Sequence, residues 1–595
     1  MLLPAPPRAP AVGRAAAATA ATAALARRGP RLGSRSLPSG APATGAAAAA
    51  AVPVGLLAGG GRGGLDRGAA AAPAAAATSP RASATPPPTS GGDAPPADEV
   101  ALALVTATAA MAPTPTPAGD VKDPSGSGGD GPGGPPAGTA TLSARGRALL
   151  SPFPEYLRLA FAAADDPYDA TTNPDGYISL SVAENRLSAD LVAAHLSRRP
   201  PLPASALAYG PMCGTPALRT ALANLFTTSL AAGKRVIPPE AVHLSSGAGA
   251  VIDLLASVVA DAGDGVLVPT PLYYGFVRDF ASRAGVATVA APMDPDSGFA
   301  ITVEGLEAAW RANAARVTPV NLRAVVVCNP GNPTGAIMPA SEVTAVVRWG
   351  RAKGIHVIFD EIYVHSTFDP PPLGSKHQFV SVAEVLADAG EEDLGEDVHI
   401  VWSFSKDFCG NALRAGVLIT DNQAVREVFA TVTYFSSVAV DTQDALTALL
   451  TDAPALDAYL TENRRRLSSA SAAAADAMAA ARPAGATITA VPPAAGFFLW
   501  TDLRPLLSAV SAAEVEAAAA ARGVPLTGGP ADAFAREYAV FRRLVRAKVL
   551  VTPGDQCYCE QAGWFRFCFA SASEEEVRVA WARIVDAFLP EPVYP

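Results

Sequence analysis

Short runs of apolar, β-branched residues alternate with longer helical stretches from about residue 142 onward. The predicted strands are 242–244, 265–268, 322–328, 356–359 and 399–402. The predicted helices include 216–225, 251–260 and 340–353. This alternation predicts an α/β domain with a mainly parallel sheet, since parallel strands need long crossover connections. In such sheets the functional residues cluster in loops that follow the carboxyl ends of the strands.

The first 140 residues have a different composition, dominated by Ala, Pro, Gly, Ser, Thr and Arg. No acidic residue precedes Asp66, while arginines recur through the Ala-rich stretch. This pattern is typical of an organelle transit peptide, in a plastid or a mitochondrion, followed by a disordered linker. A secretory signal, or low-complexity sequence without an address in a cytoplasmic protein, is the alternative. The Ala-rich run at 46–57 is too short and too weakly apolar to span a membrane.

Charge and cysteine usage exclude several classes of function. The net charge is −10, which argues against nucleic-acid binding through bulk charge. The six cysteines lack paired C-x-x-C spacing, so neither a disulfide framework nor a metal site is predicted, and the compartment is expected to be reducing. The isolated pair Cys557 and Cys559 is more typical of ordinary thiols.

Two predicted strands end in residues that can do chemistry. Lys406 follows the strand 399–402 within Ser-Phe-Ser-Lys, and Arg414 comes eight residues later. A lysine between hydroxyls and a guanidinium could form a Schiff base beside a phosphate pocket, although many such strings are surface turns. Asp360 closes the strand 356–359, where a carboxylate is costly to bury without a partner such as a pyridinium nitrogen. A solvated loop carboxylate is the alternative.

Two further loops complete the set. Residues 329–335 read Asn-Pro-Gly-Asn-Pro-Thr-Gly, a rigid turn that could present the Asn332 amide. Residues 245–250 read Ser-Ser-Gly-Ala-Gly-Ala before a predicted helix, where backbone N–H groups can approach a phosphate. Each segment alone is weak, but their order along one chain is specific.

Together these segments resemble the class I/II aminotransferase family of fold-type-I pyridoxal-phosphate (PLP) enzymes. Within it the chain is most similar to the 1-aminocyclopropane-1-carboxylate (ACC) synthase-like branch, over about residues 145–590. The resemblance also rests on residues 173–185, 268–273, 398–407, 553–554 and 563–570.

The resemblance implies a role for each matching residue. Lys406 would hold the cofactor as a Schiff base and move the substrate Cα proton, and Asp360 would pair with the pyridinium nitrogen. Catalysis would rest on Lys406, Asp360 and Tyr363. Tyr363 and Asn332 would bind the ring hydroxyl, and Tyr273 would stack on the ring. The phosphate would be held by Ala248, Gly249, Ser403, Ser405 and Arg414.

Substrate binding is implied for Arg566 and Glu184. Arg566 would grip the α-carboxylate through a bidentate pair; a surface ion pair is the alternative. Glu184 would contact the substrate near its amino group; a helix-start carboxylate is the alternative. The family's interface tyrosine is replaced by Met212, which has no hydroxyl to donate to a phosphate, and Tyr209 lies three residues upstream.

The implied fold has a large PLP-binding domain, 221–435, with a mixed, mostly parallel sheet. A small α+β domain would combine 141–220 with 436–595, and the chain would form a homodimer. The preferred hypothesis is an aminotransferase acting on an amino acid and a 2-oxo acid. ACC synthase chemistry on S-adenosylmethionine is the second hypothesis, and a non-catalytic cofactor-binding protein is the third.

Overall fold

The structure is a computed structural model that describes residues 142–150, 153–198, 203–369, 378–529 and 531–589. The extension and transit peptide predicted within residues 1–140 lie outside these ranges.

Helices and short strands follow one another through the described ranges. The helices are α1 (Ala144–Ala148), α2 (Glu155–Ala162), α3 (Ala189–Leu196), α4 (Pro216–Ser229), α5 (Ala248–Val259), α6 (Gly275–Ala281), α7 (Val303–Ala314), α8 (Ala340–Lys353), α9 (Val382–Asp388), α10 (Phe404–Asp407), α11 (Gln423–Val432), α12 (Val440–Thr451), α13 (Ala453–Ala480), α14 (Ala512–Arg522), α15 (Ala531–Arg546) and α16 (Glu574–Ala587). The strands are β1 (Ile178–Ser179), β2 (Val242–Ser245), β3 (Gly265–Thr270), β4 (Ala287–Pro292), β5 (Leu322–Cys328), β6 (His356–Asp360), β7 (Val398–Ser403), β8 (Gly416–Thr420), β9 (Thr489–Val491), β10 (Phe498–Asp502), β11 (Val549–Leu550), β12 (Thr552–Pro553) and β13 (Trp564–Cys568).

The central sheet has seven strands in the order β2-β8-β7-β6-β5-β3-β4. Its pairs from β7 through β6, β5 and β3 to β4 are parallel. Strand β8 is the exception, since it runs antiparallel to both β2 and β7. The α/β fold with a mixed, mostly parallel sheet is therefore confirmed. All five predicted strands lie in this sheet, which also contains β4 and β8.

Both faces of this sheet are buried, which explains why its strands are almost continuously apolar. Leu267, Val325 and Phe359 point into one hydrophobic core. Val326 and Ile358, which alternate with them along the strands, point into a second core on the opposite face. Helices cover both faces, so only the strand ends and their loops can reach a ligand.

A second, smaller region carries short antiparallel strands. Its sheet has the order β12-β13-β10-β9, and β1 pairs in parallel with β11 beside it. One core joins this sheet to helices from both ends of the described chain, α2, α13, α15 and α16. The predicted α+β layout of the smaller region is confirmed, while the boundaries at residues 220 and 435 stay predictions. In the described ranges, no helix is both long and apolar enough to cross a bilayer.

Candidate active site

Parallel strands β5, β6 and β7 bring the predicted chemical residues to one edge of the central sheet. The last residue of β5, Cys328, lies in register with Asp360, the last residue of β6. Ser403 ends β7, and Lys406 follows it within α10. The carboxyl ends of neighbouring parallel strands share one edge, so residues far apart in sequence converge there.

Lys406 sits on a helix of a single turn that begins directly after β7. Its Nζ donates a hydrogen bond of 2.6 Å to the carbonyl oxygen of Ala183. The pKa of Lys406 is lowered to about 8, mainly by burial and also by the Arg566 guanidinium, while Cys568, Glu184 and Asp360 oppose the shift. A lysine with this pKa is partly neutral near pH 7.5, so it can act as a nucleophile or a base.

Asp407, to which sequence reasoning gave no role, fixes the lysine turn, which is the single-turn helix α10 that carries Lys406. It is fully buried, and it accepts hydrogen bonds from Ser366 Oγ at 2.7 Å, Trp402 Nε1 at 2.8 Å and the backbone N–H of His365 at 3.1 Å. These bonds tie α10 to the loop after β6. The carboxylate therefore orients the neighbouring Lys406 backbone.

Asp360 is a buried carboxylate with an unused oxygen. It is 4% exposed, so the alternative of a solvated loop carboxylate is wrong. Burial raises its pKa to about 7, while the backbone N–H of Ile362, the Cys328 thiol and Lys406 each lower it. Its Oδ1 has no hydrogen-bond partner among the described residues. An unpaired buried carboxylate oxygen calls for a cationic donor.

Tyr363 and Asn332 are both buried near this carboxylate. The Tyr363 side chain is 1% exposed, and its ring packs edge-on against Phe497 and Phe498. Burial raises the pKa of the Tyr363 phenol well above its usual value, so the hydroxyl stays protonated and can donate a hydrogen bond. Asn332 accepts a hydrogen bond of 2.9 Å from Arg566 Nη1.

An anion-binding cradle forms where β2 leads into α5. Ala248 and Gly249 begin α5, and its N-cap, Gly247, has φ of 97°. A side chain at Gly247 would overlap the Arg414 guanidinium. Arg414 donates to the carbonyl oxygens of Ser246 and Asn411, each at 3.0 Å. A helix N-terminus beside an arginine is a favourable place for a phosphate.

Ser403 and Ser405 line the lysine turn with hydroxyl groups. Ser403 Oγ lies 2.8 Å from Ser405 Oγ and 2.9 Å from the carbonyl oxygen of Ala415. It also accepts a hydrogen bond of 3.1 Å from the backbone N–H of Ser405. A side chain at Gly416 would overlap the backbone of Gly247 and Ala248, so β8 and the cradle can approach this closely only because position 416 is glycine.

Tyr273 follows β3 at the same edge of the sheet. Its ring is 41% exposed, and it contacts Phe276 edge-on with ring centroids 5.4 Å apart. The exposed ring face leaves room for a flat partner to stack.

Arg566 lies in the middle of β13 and is only 5% exposed, so the alternative of a surface ion pair is wrong. Besides its bond to Asn332, its Nη2 donates to the carbonyl oxygen of Ser181 at 2.7 Å and to Thr552 Oγ1 at 3.2 Å. Its Nε has no hydrogen-bond partner in the described structure. Sequence reasoning missed Ser181 and Thr552, which hold this guanidinium in place.

Glu184 lies in the loop between β1 and α3. It forms an ion pair of 3.1 Å with Arg186 and accepts a hydrogen bond of 3.2 Å from Asn411 Nδ2. The alternative of a helix-start carboxylate is wrong, since α3 begins only at Ala189. Its charge raises the pKa of Lys406, which places it near the lysine.

Met212 is half-buried in the loop that precedes α4. Tyr209 is 95% exposed, so within this chain its hydroxyl does not take the place of the missing one.

These residues fit PLP on three observations from the structure. The unpaired Oδ1 of Asp360 suits a protonated ring nitrogen. The cradle at Gly247 and Arg414 suits a phosphate, and Lys406 has the lowered pKa of a reactive amine. In the described ranges, no group of three or more His, Cys, Asp or Glu side chains could hold a metal ion.

The chain also resembles proteins of known identity. It matches the family "Aminotransferase class I and II" over residues 178–584. It is 34% identical to 1-aminocyclopropane-1-carboxylate synthase 3 of Oryza sativa subsp. japonica, over 74% of this chain and 96% of the relative. It is 32% identical to 1-aminocyclopropane-1-carboxylate synthase 6 of Arabidopsis thaliana, over 71% of this chain and 80% of the relative.

Solved structures share the fold. Aspartate aminotransferase from Thermus thermophilus with maleate has a TM-score of 0.58 at 23% identity, over 76% of this chain and 100% of that one. The aspartate aminotransferase from Rhizobium meliloti has a TM-score of 0.57 at 20% identity, over 76% and 99% of the two chains. The chain therefore belongs to the class I and II aminotransferase family of PLP-dependent enzymes, in its ACC synthase-like branch.

Proposed function

We propose that this enzyme transfers an amino group between an amino acid and a 2-oxo acid. The observation that carries the proposal is the position of Lys406 beside Arg566 and Asp360. Met212 stands where the family has an interface tyrosine. The catalytic residues match the family pattern, whereas this departure lies outside them. We therefore favour the general amino-group transfer of the family over the specialised ring closure.

Each residue has a distinct part in this reaction. Arg566 binds the substrate α-carboxylate through its guanidinium, a planar group suited to two parallel hydrogen bonds. Asp360 keeps the ring nitrogen protonated through its unpaired oxygen, and Tyr363 donates to the ring hydroxyl. PLP, when bound, supplies the electron sink for the electrons released at Cα. Lys406 would remove the proton from the substrate Cα and pass it to the cofactor carbon, which its lowered pKa allows.

The proposal is tested by absorbance of the purified holoenzyme. An ordinary amino acid should convert the cofactor to its amine form, and a 2-oxo acid should reverse the change. Lys406→Ala should slow both conversions about 10²–10⁴-fold. If no amino acid and 2-oxo acid pair interconverts the two forms, the proposal is wrong.

ACC synthase activity is the second candidate, since curated relatives at 34% and 32% identity carry that name. In that reaction the same Lys406 would remove the Cα proton of S-adenosylmethionine, and the Cα electrons would displace methylthioadenosine to close a three-membered ring. Methylthioadenosine and ACC released from S-adenosylmethionine, without amino-group exchange, would favour this candidate. The same assay tests the third hypothesis, since a non-catalytic cofactor-binding protein would neither exchange amino groups nor release methylthioadenosine and ACC.

We further propose that the enzyme works as a homodimer in an organelle. The homodimer rests on the family, and the organelle rests on the Arg-rich, acid-poor leader. Analytical ultracentrifugation of the full chain would test the first, and a fluorescent fusion to residues 1–140 would test the second.

A further inference from the structure

A cavity of about 570 Å³ adjoins the cofactor-binding residues, on the side formed by the ends of β3, β4 and β5. We propose that it receives the side chain of the amino acid substrate and selects bulky apolar or aromatic side chains. This inference rests on the proposed function, since it assumes an α-amino acid whose carboxylate is held by Arg566.

The cavity begins at residues that already belong to the active site. Tyr273, Asn332 and Cys328 line it. Asn332 is bonded to Arg566 Nη1 at 2.9 Å, and Cys328 lies in register with Asp360. The cavity does not include Asp360, Tyr363, Lys406 or the cradle at Gly247, so it extends away from these residues and shares only Tyr273 and Asn332 with the proposed cofactor site. If Arg566 holds the carboxylate of an amino acid, the side chain of that amino acid can therefore pass Asn332 and enter the cavity.

The walls of the cavity are mostly apolar. Those that carry the argument are Phe276, Met293, Phe299, Ile301, Ile337 and Met338. Phe299 is fixed from behind by ring contacts with Trp500 and Trp564, with centroids 6.2 and 5.0 Å apart. Burying an apolar side chain against such walls is favourable by about 25 cal/mol per Å². A volume of 570 Å³ falls in the range of about 300–1,000 Å³ that is common for small-molecule sites.

The residues that this chain contributes to the lining disfavour an acidic side chain. Of the residues that line the cavity, none is Lys, Arg or His, and Glu342 carries a carboxylate. A second substrate carboxylate would be buried without a cation and repelled by Glu342, which is unfavourable. Charge thus selects against aspartate and glutamate, and the apolar walls select for side chains such as those of phenylalanine or leucine.

The test measures binding by calorimetry on the holoenzyme, using carboxylic acids that lack the amino group and cannot react. We expect 3-phenylpropionate to bind about tenfold or more tightly than succinate, since the apolar wall favours one and rejects the other. Ala336 lines the cavity and is half-buried. Ala336→Phe should fill the cavity and weaken 3-phenylpropionate binding about tenfold while leaving propionate unchanged.

A charge variant gives the opposite change. Ile301 is half-buried in the cavity wall, and Ile301→Arg should improve succinate binding while weakening 3-phenylpropionate binding. The matched control is Val317→Arg, an aliphatic-to-arginine change at a position that is fully exposed and outside the cavity. Unchanged cofactor absorbance in each variant shows that the site has folded.

The inference is overturned if succinate binds wild type as tightly as 3-phenylpropionate, or if Ala336→Phe leaves the affinity for 3-phenylpropionate unchanged.

Failure of this inference can be distinguished from failure of the proposed function. If alanine alters the cofactor spectrum and phenylalanine does not, only the pocket assignment is wrong. If neither amino acid alters the cofactor spectrum but S-adenosylmethionine yields ACC, both the pocket assignment and the transamination proposal are wrong.

Discussion

Arg566 and Asn332 are joined by a hydrogen bond of 2.9 Å, although 234 residues separate them in sequence. One partner comes from the small antiparallel sheet and the other from the loop after β5 in the central sheet. Under the proposed function, the bond places the guanidinium that would hold the substrate carboxylate next to the amide that would bind the cofactor ring hydroxyl. Substrate binding and cofactor binding would then share a contact, which makes Arg566 an informative residue to change.

Arg566→Lys should weaken substrate carboxylate binding by about 1.5–3 kcal/mol, or about 10- to 150-fold. Lysine keeps the charge but cannot form two parallel bonds or reach Asn332 and Ser181 together. Calorimetric titration with 3-phenylpropionate would measure the change. Arg578→Lys, an exposed helix position, is the control and should have no effect. Wild-type affinity in Arg566→Lys would contradict the assignment.

Asp360→Asn should lower turnover about 10²–10³-fold, because the amide cannot stabilise a protonated ring nitrogen. It should also stabilise the cofactor-free protein above pH 7. Burial raises the pKa of Asp360 to about 7 from 3.8. The unfolded wild type therefore loses this proton more readily than the folded protein, and the wild type loses stability as pH rises from about 4 to about 7. Below about pH 4 the two proteins should have the same stability. Urea unfolding of the apo-proteins at pH 4 and pH 8 would check this, and equal stability at pH 8 would contradict it.

The rate at which apo-enzyme captures PLP should rise with pH, with a midpoint near pH 8, and level off about one pH unit higher. Burial lowers the pKa of Lys406 to about 8, and only the neutral amine can attack, so the rate increases as the proton is lost. Stopped-flow absorbance would measure the midpoint. A midpoint near 10.5, the value for a free lysine, would argue against this environment. Lys406→Ala should retain no cofactor after borohydride treatment and dialysis, and its turnover should fall about 10²–10⁴-fold.

Lys234→Ala serves as the control for the lysine variant. Lys234 is a surface residue whose ammonium pairs with Glu384 at 2.8 Å. Its loss should leave the capture rate and its pH midpoint unchanged.

Gly247→Ala should weaken PLP binding about tenfold or more, because the new methyl group displaces the Arg414 guanidinium. Gly354→Ala is the control that separates the effect of this clash from the effect of backbone strain. Gly354 also has a positive φ, of 69°, but a Cβ there would meet no atom within 4 Å. Gly354→Ala should cost about 1–2 kcal/mol of stability through strain. Gly247→Ala should cost about 1–3 kcal/mol, because its φ of 97° and ψ of 164° lie in a region almost restricted to glycine. Only Gly247→Ala should alter the PLP dissociation constant. Fluorescence titration of apo-enzyme would decide this.

Local sequence pattern was enough to predict much of the central sheet. The predicted strand 322–328 and helix 340–353 match β5 and α8 at both ends. Strand β4 was missed because its sequence, Ala-Thr-Val-Ala-Ala-Pro, is short of large apolar residues. Strand β8 was missed for another reason. It runs antiparallel to both neighbours, whereas alternation of strand and helix predicts parallel strands only.

In the candidate site, too, residues marked by local sequence pattern could be predicted, and residues that only the tertiary fold brings together could not. Lys406, Asp360 and Asn332 could be predicted because each follows a recognisable strand. The groups that hold them could not, since Ala183 contributes a carbonyl oxygen, which any residue has, and Thr552 contributes an ordinary hydroxyl. Only the tertiary fold brings such groups into contact. Asp407 lies within residues 398–407, on which the family resemblance rests, but its role depends on Ser366 and Trp402 around it.

The bond from Arg566 to the carbonyl oxygen of Ser181 joins chain segments 385 residues apart. During synthesis the whole central sheet, which ends at Thr420, is made long before Arg566. A nascent chain can therefore hold Lys406, Asp360 and the phosphate cradle while its carboxylate-binding residue does not yet exist. Recognition of a substrate carboxylate through Arg566 is therefore possible only once nearly the whole chain has been made.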